Sequence, residues 1–155
     1  MGLISDFLFG RKISIQDSKI GELKTRVRGN NPSINYTWTG EYKLQGQKKP
    51  TIFILEGNNV EPYRSHLKGL HNIIDTLDNI VEQVDKELKG RPNVKQRFKE
   101  NWVKDFYLAA ITPYNPNTNE DGEQFELNFE PIIEDDTDYV GFLWNNGILA
   151  EVEAK

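Results

Sequence analysis

The side chains that can move a proton, hold a metal or attack a bond are few. The 155-residue chain has two histidines, His66 and His71, and no cysteine. Thiol nucleophiles, thiolate zinc sites, iron–sulfur clusters and redox pairs are therefore excluded. His66 and His71 stand about 140° apart on a helix, whereas two ligands for one metal need a spacing near i, i+4. His66 falls on one helical face with Leu70, Ile73 and Leu77, which predicts a satisfied core histidine. His71 shares a flank with Asp75, Asp78, Glu82 and Asp85. That pattern reads as a solvated helix face, with a cation or a basic partner as the alternative.

Other matches are weaker chemistry. Ser65-His66-Leu67-Lys68 fits the Ser-x-x-Lys pattern, but the two companion motifs of those enzymes are missing. The loop 117–122 places oxygen side chains at alternate positions with Gly122 sixth, as in a calcium loop. Its first position is Asn117 and its twelfth Asn128, so the charged ligands are wrong and a hairpin loop is expected. Neither a metal nor a cofactor is expected. Glu56, at the end of an apolar run, is a general-base candidate without a nameable partner. Tyr36, Trp38 and Tyr42 alternate along one strand face, where core packing is expected over base stacking.

These residues need elements to position them. Leu23, Thr25 and Val27, then Ile34 to Leu44, alternate with polar residues, and 51–55 is apolar throughout, so residues 13–56 read as strands. From Pro62 the period becomes 3.6: Tyr63, Leu67, Leu70, Ile73, Ile74, Leu77, Val81, Val84 and Leu88 predict one helix of about 27 residues. A shorter helix is expected over 94–103, burying Phe98 and Trp102. Period two returns in 104–155, with Asn145-Asn146-Gly147 as a hairpin turn. The expectation is a single α+β domain over 1–155: an antiparallel sheet of about 6–8 strands on one long central helix, with a shorter second helix. Hydrophobic residues at 37% and charged residues at 28% suit such a soluble globular domain.

Residues 1–12 place Leu3, Ile4, Phe7 and Leu8 at helical spacing before Arg11-Lys12. Charge after rather than before the apolar run argues against a secretory signal, and Asp6 departs from the myristoylation pattern. A short amphipathic helix docked on the domain is expected, with a membrane-surface anchor as the alternative. Without an apolar run long enough to span a bilayer, the expected location is cytoplasmic.

Charge is distributed unevenly. Residues 1–49 hold nine Lys/Arg and four Asp/Glu, residues 50–104 nine and eight, and residues 105–155 one and twelve. Phosphate binding needs a basic surface, so nucleic acid is not an expected partner. The acidic last third predicts a partner-binding surface at Glu120, Asp121, Glu134, Asp135, Asp136 and Asp138, placed in loops and suited to a basic protein.

The order Trp38-Thr39-Gly40-Glu41, then Ile52-Phe53-Ile54-Leu55-Glu56, the helix opened by Glu61-Pro62, and the closing Val140-Gly141-Phe142-Leu143-Trp144-Asn145-Asn146-Gly147-Ile148 resembles small uncharacterised bacterial single-domain proteins. Some of those are thought to be immunity proteins of polymorphic toxin systems. The resemblance spans roughly residues 36 to 153, rests on strand and turn patterns, and implies a non-enzymatic binding module. The alternative is a small hydrolase or ligand-binding domain with a pocket between sheet and long helix, using Glu56 or the His71/Asp75 flank.

Overall fold

The computed structural model of the chain describes residues 2–114 and 124–155. A first helix, α1 (Gly2–Phe9), precedes four strands: β1 (Arg11–Asp17), β2 (Gly21–Val27), β3 (Tyr36–Tyr42) and β4 (Thr51–Gly57). Helices α2 (Arg64–Asp75), α3 (Leu77–Gly90) and α4 (Gln96–Lys99) and a 3₁₀ turn (Trp102–Asp105) follow. The chain closes with β5 (Phe106–Pro113), β6 (Gln124–Pro131), β7 (Val140–Asn145) and β8 (Ile148–Ala154). The fold is α+β, and the eight strands form one sheet in chain order.

The sheet is mixed, not antiparallel as expected, because β4 and β5 run parallel while the other junctions are antiparallel. A parallel pair needs a long crossover, and the helical segment supplies it. The parallel ladder pairs Ile52 with Ala110 and Phe53 with Ile111, and β5 bulges between Leu108 and Ala110. At the bulge, side chains take over the ladder's hydrogen bonds. The Leu108 N–H donates to Gln47 Oε1 at 2.7 Å, and its carbonyl accepts from Thr51 Oγ1 at 2.7 Å. Gln47 Nε2 donates to the same hydroxyl at 2.8 Å. Backbone groups that would be orphaned beside the buried Thr51 are satisfied in this way.

The alternation read from the sequence decides which strand face is buried. Leu23, Trp38, Phe53, Leu55, Ile111, Leu127 and Val140 pack in one core with Leu70 and Ile73 of α2, Ile80, Val84 and Leu88 of α3, and Phe98 and Trp102. Trp102 stacks edge-on against Phe106 and Phe129, with centroids 5.8 and 5.3 Å away. Gly57 lies where a Cβ would stand 2.4 Å from the Glu61 carbonyl oxygen and 2.5 Å from Pro62 Cα, so β4 can pass into α2 only through glycine. Asn146 and Gly147 take φ of 48° and 80°, the two positive values a two-residue hairpin turn requires.

Three elements depart from expectation. The long helix is two helices, broken at Thr76, whose φ and ψ are −115° and 13°. Its hydroxyl donates to the Asn72 carbonyl at 2.7 Å, and its N–H is shared between the Asn72 and Ile73 carbonyls. Threonine back-bonding of this kind bends helices. Leu77, which opens α3, is half-buried and packs against the margin of the core. The second helix is a single turn plus the 3₁₀ turn, interrupted where Glu100 is extended, although Phe98 and Trp102 are both buried as expected.

The third departure is α1. The helix forms, but Ile4, Phe7, Leu8 and Phe9 are 77%, 88%, 53% and 60% exposed, so it does not dock an apolar face on the domain. It is held instead by backbone polarity. Arg28 Nη2 donates to the Leu8 carbonyl at 2.7 Å and Arg26 Nη1 to the Gly10 carbonyl at 3.0 Å. Cations from β2 and the residue just after it thereby satisfy the negative end of the helix. Among the described residues no helix is long and apolar enough to cross a membrane.

Candidate functional site

The helices cover one face of the sheet, so the other face displays the outward residues of every strand. Cross-strand register sets them in rows. Lys12 lies opposite Arg26, and Ser14 opposite Lys24, at the β1–β2 end. At the other end Thr112, Glu126, Leu143 and Glu151 form one row across β5 to β8, Asn128, Gly141 and Glu153 form the next, and Tyr107 faces Glu130. Glu126, Glu130, Glu151 and Glu153 are exposed. Strand spacing separates Glu126 from Glu151, two strands away, by about 10 Å.

Two shallow grooves run over this acidic half. One, of about 700 Å³, is lined by Tyr114, Glu126, Asn128, Tyr139, Leu143 and Glu151 among others. Its neighbour, of about 450 Å³, lies between Tyr107, Glu130, Glu134 and Tyr139. Gly141 lines the larger groove: a Cβ there would meet Asn128 Oδ1 at 2.9 Å. Glu153 is ion-paired with Lys155, which with Tyr139 holds its carboxyl below the usual range. Among the described residues no cation pairs with Glu126, Glu130 or Glu151; Glu130 accepts a long hydrogen bond from the Tyr107 hydroxyl at 3.4 Å.

The carboxylates expected in loops divide. Glu120 and Asp121, with the loop compared to a calcium site, lie outside the described residues. Glu134 and Asp135 are exposed, and Glu134 lines the smaller groove with Lys49 Nζ 4.0 Å away. Asp136 and Asp138 are engaged internally. Arg97 Nη1 lies 2.7 Å from Asp136 and 3.0 Å from Asp138, and Lys95 Nζ 2.6 Å from Asp138. The Arg97 hydrogen bond, with the Asp138 N–H, holds the Asp136 carboxyl below its ordinary value. These two aspartates tie the β6–β7 connection to α4, so folding does use them.

The histidines serve the scaffold. His66 is 1% exposed, its Nδ1 accepts the Glu56 N–H at 3.1 Å, and it packs edge-on against Tyr63 and Phe125. Burial pushes its pKa down, so the ring is a neutral core group, as its face predicted. His71 Nε2 lies 3.0 Å from both Asp17 carboxylate oxygens. Burial would raise the Asp17 carboxyl, but the Lys19 N–H, His71 and the Ile20 N–H outweigh it and hold it low. Lys19 is ion-paired with Asp75, so the β1–β2 turn is strapped onto α2. Glu82 and Asp85 pair with Lys86 and Lys89 one turn on. Among the described residues no group of side chains is disposed to hold a metal ion.

Glu56 is half-buried, which raises its carboxyl; it accepts from the Thr37 hydroxyl at 3.2 Å. Its backbone N–H already occupies the His66 acceptor nitrogen, so the two do not form an acid–base pair. Of the aromatic stripe, Trp38 is in the core with its indole N–H on the Asn58 carbonyl, while Tyr36 is half-buried and Tyr42 42% exposed. Comparison with family models, with characterised proteins and with solved structures returns no match.

The residues that sequence reasoning missed are the outward strand carboxylates. Their signal was present in the alternation of Phe125, Leu127 and Phe129 with Glu126, Asn128 and Glu130. Nothing in that alternation says whether the polar face is later covered by a helix.

Proposed function

We propose that this is a non-enzymatic, immunity-like cytoplasmic protein-binding module that receives a basic protein on the uncovered β5–β8 face. One observation carries the reading: Glu126, Glu130 and Glu151 stand on a rigid strand surface, exposed, with no described cation to neutralise them. A partner's lysines or arginines would meet them without heavy desolvation, and complementarity of this kind gives fast association and specificity. Nucleic acid would be repelled by the same surface.

The hydrolase reading has less support. The space between sheet and helices is filled by core side chains, His66 Nδ1 is taken by the Glu56 backbone N–H, and the Glu56 carboxylate faces the Thr37 hydroxyl rather than a histidine. The test is affinity capture from native lysate at low salt, comparing wild type with the Glu126→Gln, Glu130→Gln, Glu151→Gln variant. The expected result is a basic protein retained by wild type, lost from the variant, and released by salt. Equal capture by both proteins would overturn the reading.

A further inference from the structure

We propose that α1 and the basic end of the β1–β2 hairpin form a peripheral docking surface for an anionic lipid bilayer. On a helical projection Ile4, Phe7 and Leu8 fall within one arc, with Ser5, Asp6 and Phe9 on the other side, and the four apolar side chains are exposed. An exposed cluster of phenylalanine, leucine and isoleucine on a short helix is the kind of surface that inserts at the boundary of headgroups and acyl chains.

Charge around the helix selects the occupant. Arg11, Lys12, Arg26 and Arg28 are exposed beside it, against Asp6 on the helix itself. Their proximity is fixed by structure: Arg26 and Arg28 donate to carbonyls at the helix C-terminus, and Lys12 lies opposite Arg26 in the ladder. A hydrogen bond to a neutral carbonyl leaves the guanidinium charge in place. The same two arginines hold the helix at the sheet end, so apolar and cationic groups are presented together.

A second copy of the chain fits this surface less well. A two-fold contact through α1 would bring the same four cations against one another. A helix of eight residues is also short of the roughly 800 Å² per partner that stable association needs. An anionic bilayer takes both the apolar side chains and the cations. The acidic β5–β8 face lies at the opposite end of the sheet order and would be left free for a protein partner.

The test is flotation of the full chain with vesicles of phosphatidylcholine alone and of phosphatidylcholine mixed with phosphatidylglycerol, at low and high salt. Wild type is expected to float with the mixed vesicles at low salt and to stay behind with neutral vesicles or at high salt. Phe7→Ser with Leu8→Ser should abolish flotation while leaving the circular dichroism spectrum and melting temperature unchanged, because both side chains are exposed. Arg11→Gln with Lys12→Gln should weaken partitioning about fivefold per cation. Absence of wild-type flotation, equal flotation with neutral vesicles, or flotation that survives the Phe7/Leu8 change would each overturn the proposal. So would a concentration-dependent dimer, seen by sedimentation velocity, that Phe7→Ser dissolves.

Discussion

β1–β4 and β5–β8 are each two antiparallel hairpins backed by helix, with α2 lying against β4 and α3 against β8. Their uncovered surfaces differ in charge balance: on one, Lys12, Lys24 and Arg26 are interleaved with Glu22, Glu41 and Glu56, whereas the outward charges of the other strands are the carboxylates Glu126, Glu130, Glu151 and Glu153. Because strand order follows chain order, a charge gradient written along the sequence becomes a gradient across the sheet. The halves share one core but meet strand to strand at a short parallel ladder, reinforced by the Gln47–Thr51 side chains. The two proposed binding surfaces lie on opposite sides of that seam, while stability need not divide there.

The sharpest way to break the comparison is to damage one half's core. Leu70 of α2 and Ile80 of α3 are both 0% exposed, and truncating either to alanine should cost about 2–5 kcal/mol. If the halves are one cooperative unit, urea denaturation of each variant shows a single transition in both intrinsic fluorescence and far-ultraviolet circular dichroism. Separate transitions for Leu70→Ala and Ile80→Ala would make them independent folding units.

Next in size is the seam. Thr51→Val leaves the Leu108 carbonyl and Gln47 Nε2 without the hydroxyl between them, at about 1–3 kcal/mol. Gln47→Leu orphans the Leu108 N–H at a similar cost, and the double variant should lose less than the sum. Strict additivity in chemical denaturation would show that the two side chains do not act as one clasp. Smaller again is the acidic loop: Asp138→Asn should cost about 1 kcal/mol by weakening its bonds to Arg97 and Lys95, whereas exposed Asp135→Asn should stay within about 0.5 kcal/mol.

pH separates two groups, buried His66 and half-buried Glu56, that act in opposite senses. The folded pKa of His66 is depressed by burial, so below the unfolded value near 6.5 the unfolded chain binds the extra proton and stability falls as pH drops. Glu56, raised by burial, works the other way: its contribution is present at low pH and is lost as pH rises from its unfolded value through its folded one. Replacing His66 with Gln should flatten the slope of melting temperature just below pH 6.5, and an unchanged slope would assign it to another group.

Much of the architecture was legible because alternation and helical period report burial directly. Phe125, Leu127 and Phe129 marked a core-facing strand, and Asn146-Gly147 marked a turn whose conformation few other pairs adopt. The break at Thr76 was not legible, since threonine neither ends nor permits a helix by itself; its hydroxyl acts only once the Asn72 carbonyl is in reach. The parallel junction was hidden because an apolar run such as residues 52–55 of β4 reads the same in either direction. Asp136 and Asp138 looked like free loop acids because Arg97 lies 39 and 41 residues away in sequence.

The smallest expected effect on stability is also the most informative for the acidic half. Glu126, Glu130 and Glu151 are exposed and unpaired with described cations, so changing all three to glutamine should alter unfolding free energy by less than about 0.5 kcal/mol per site, upward where like-charge repulsion is relieved. Association with a basic partner should slow sharply, because steering depends on the summed field and not on any one contact. Raising salt from about 0.1 M to about 1 M shortens the screening length from about 10 Å to about 3 Å and should slow wild-type association towards the variant's rate. Lys12, Lys43 and Lys48, exposed and in no described ion pair, changed to glutamine make the matched control: on the basic half the same loss of three charges should leave that association unslowed. If both triple variants behave alike, the charge gradient across the sheet is a solubility feature shared by the two halves, and the division of function between them falls.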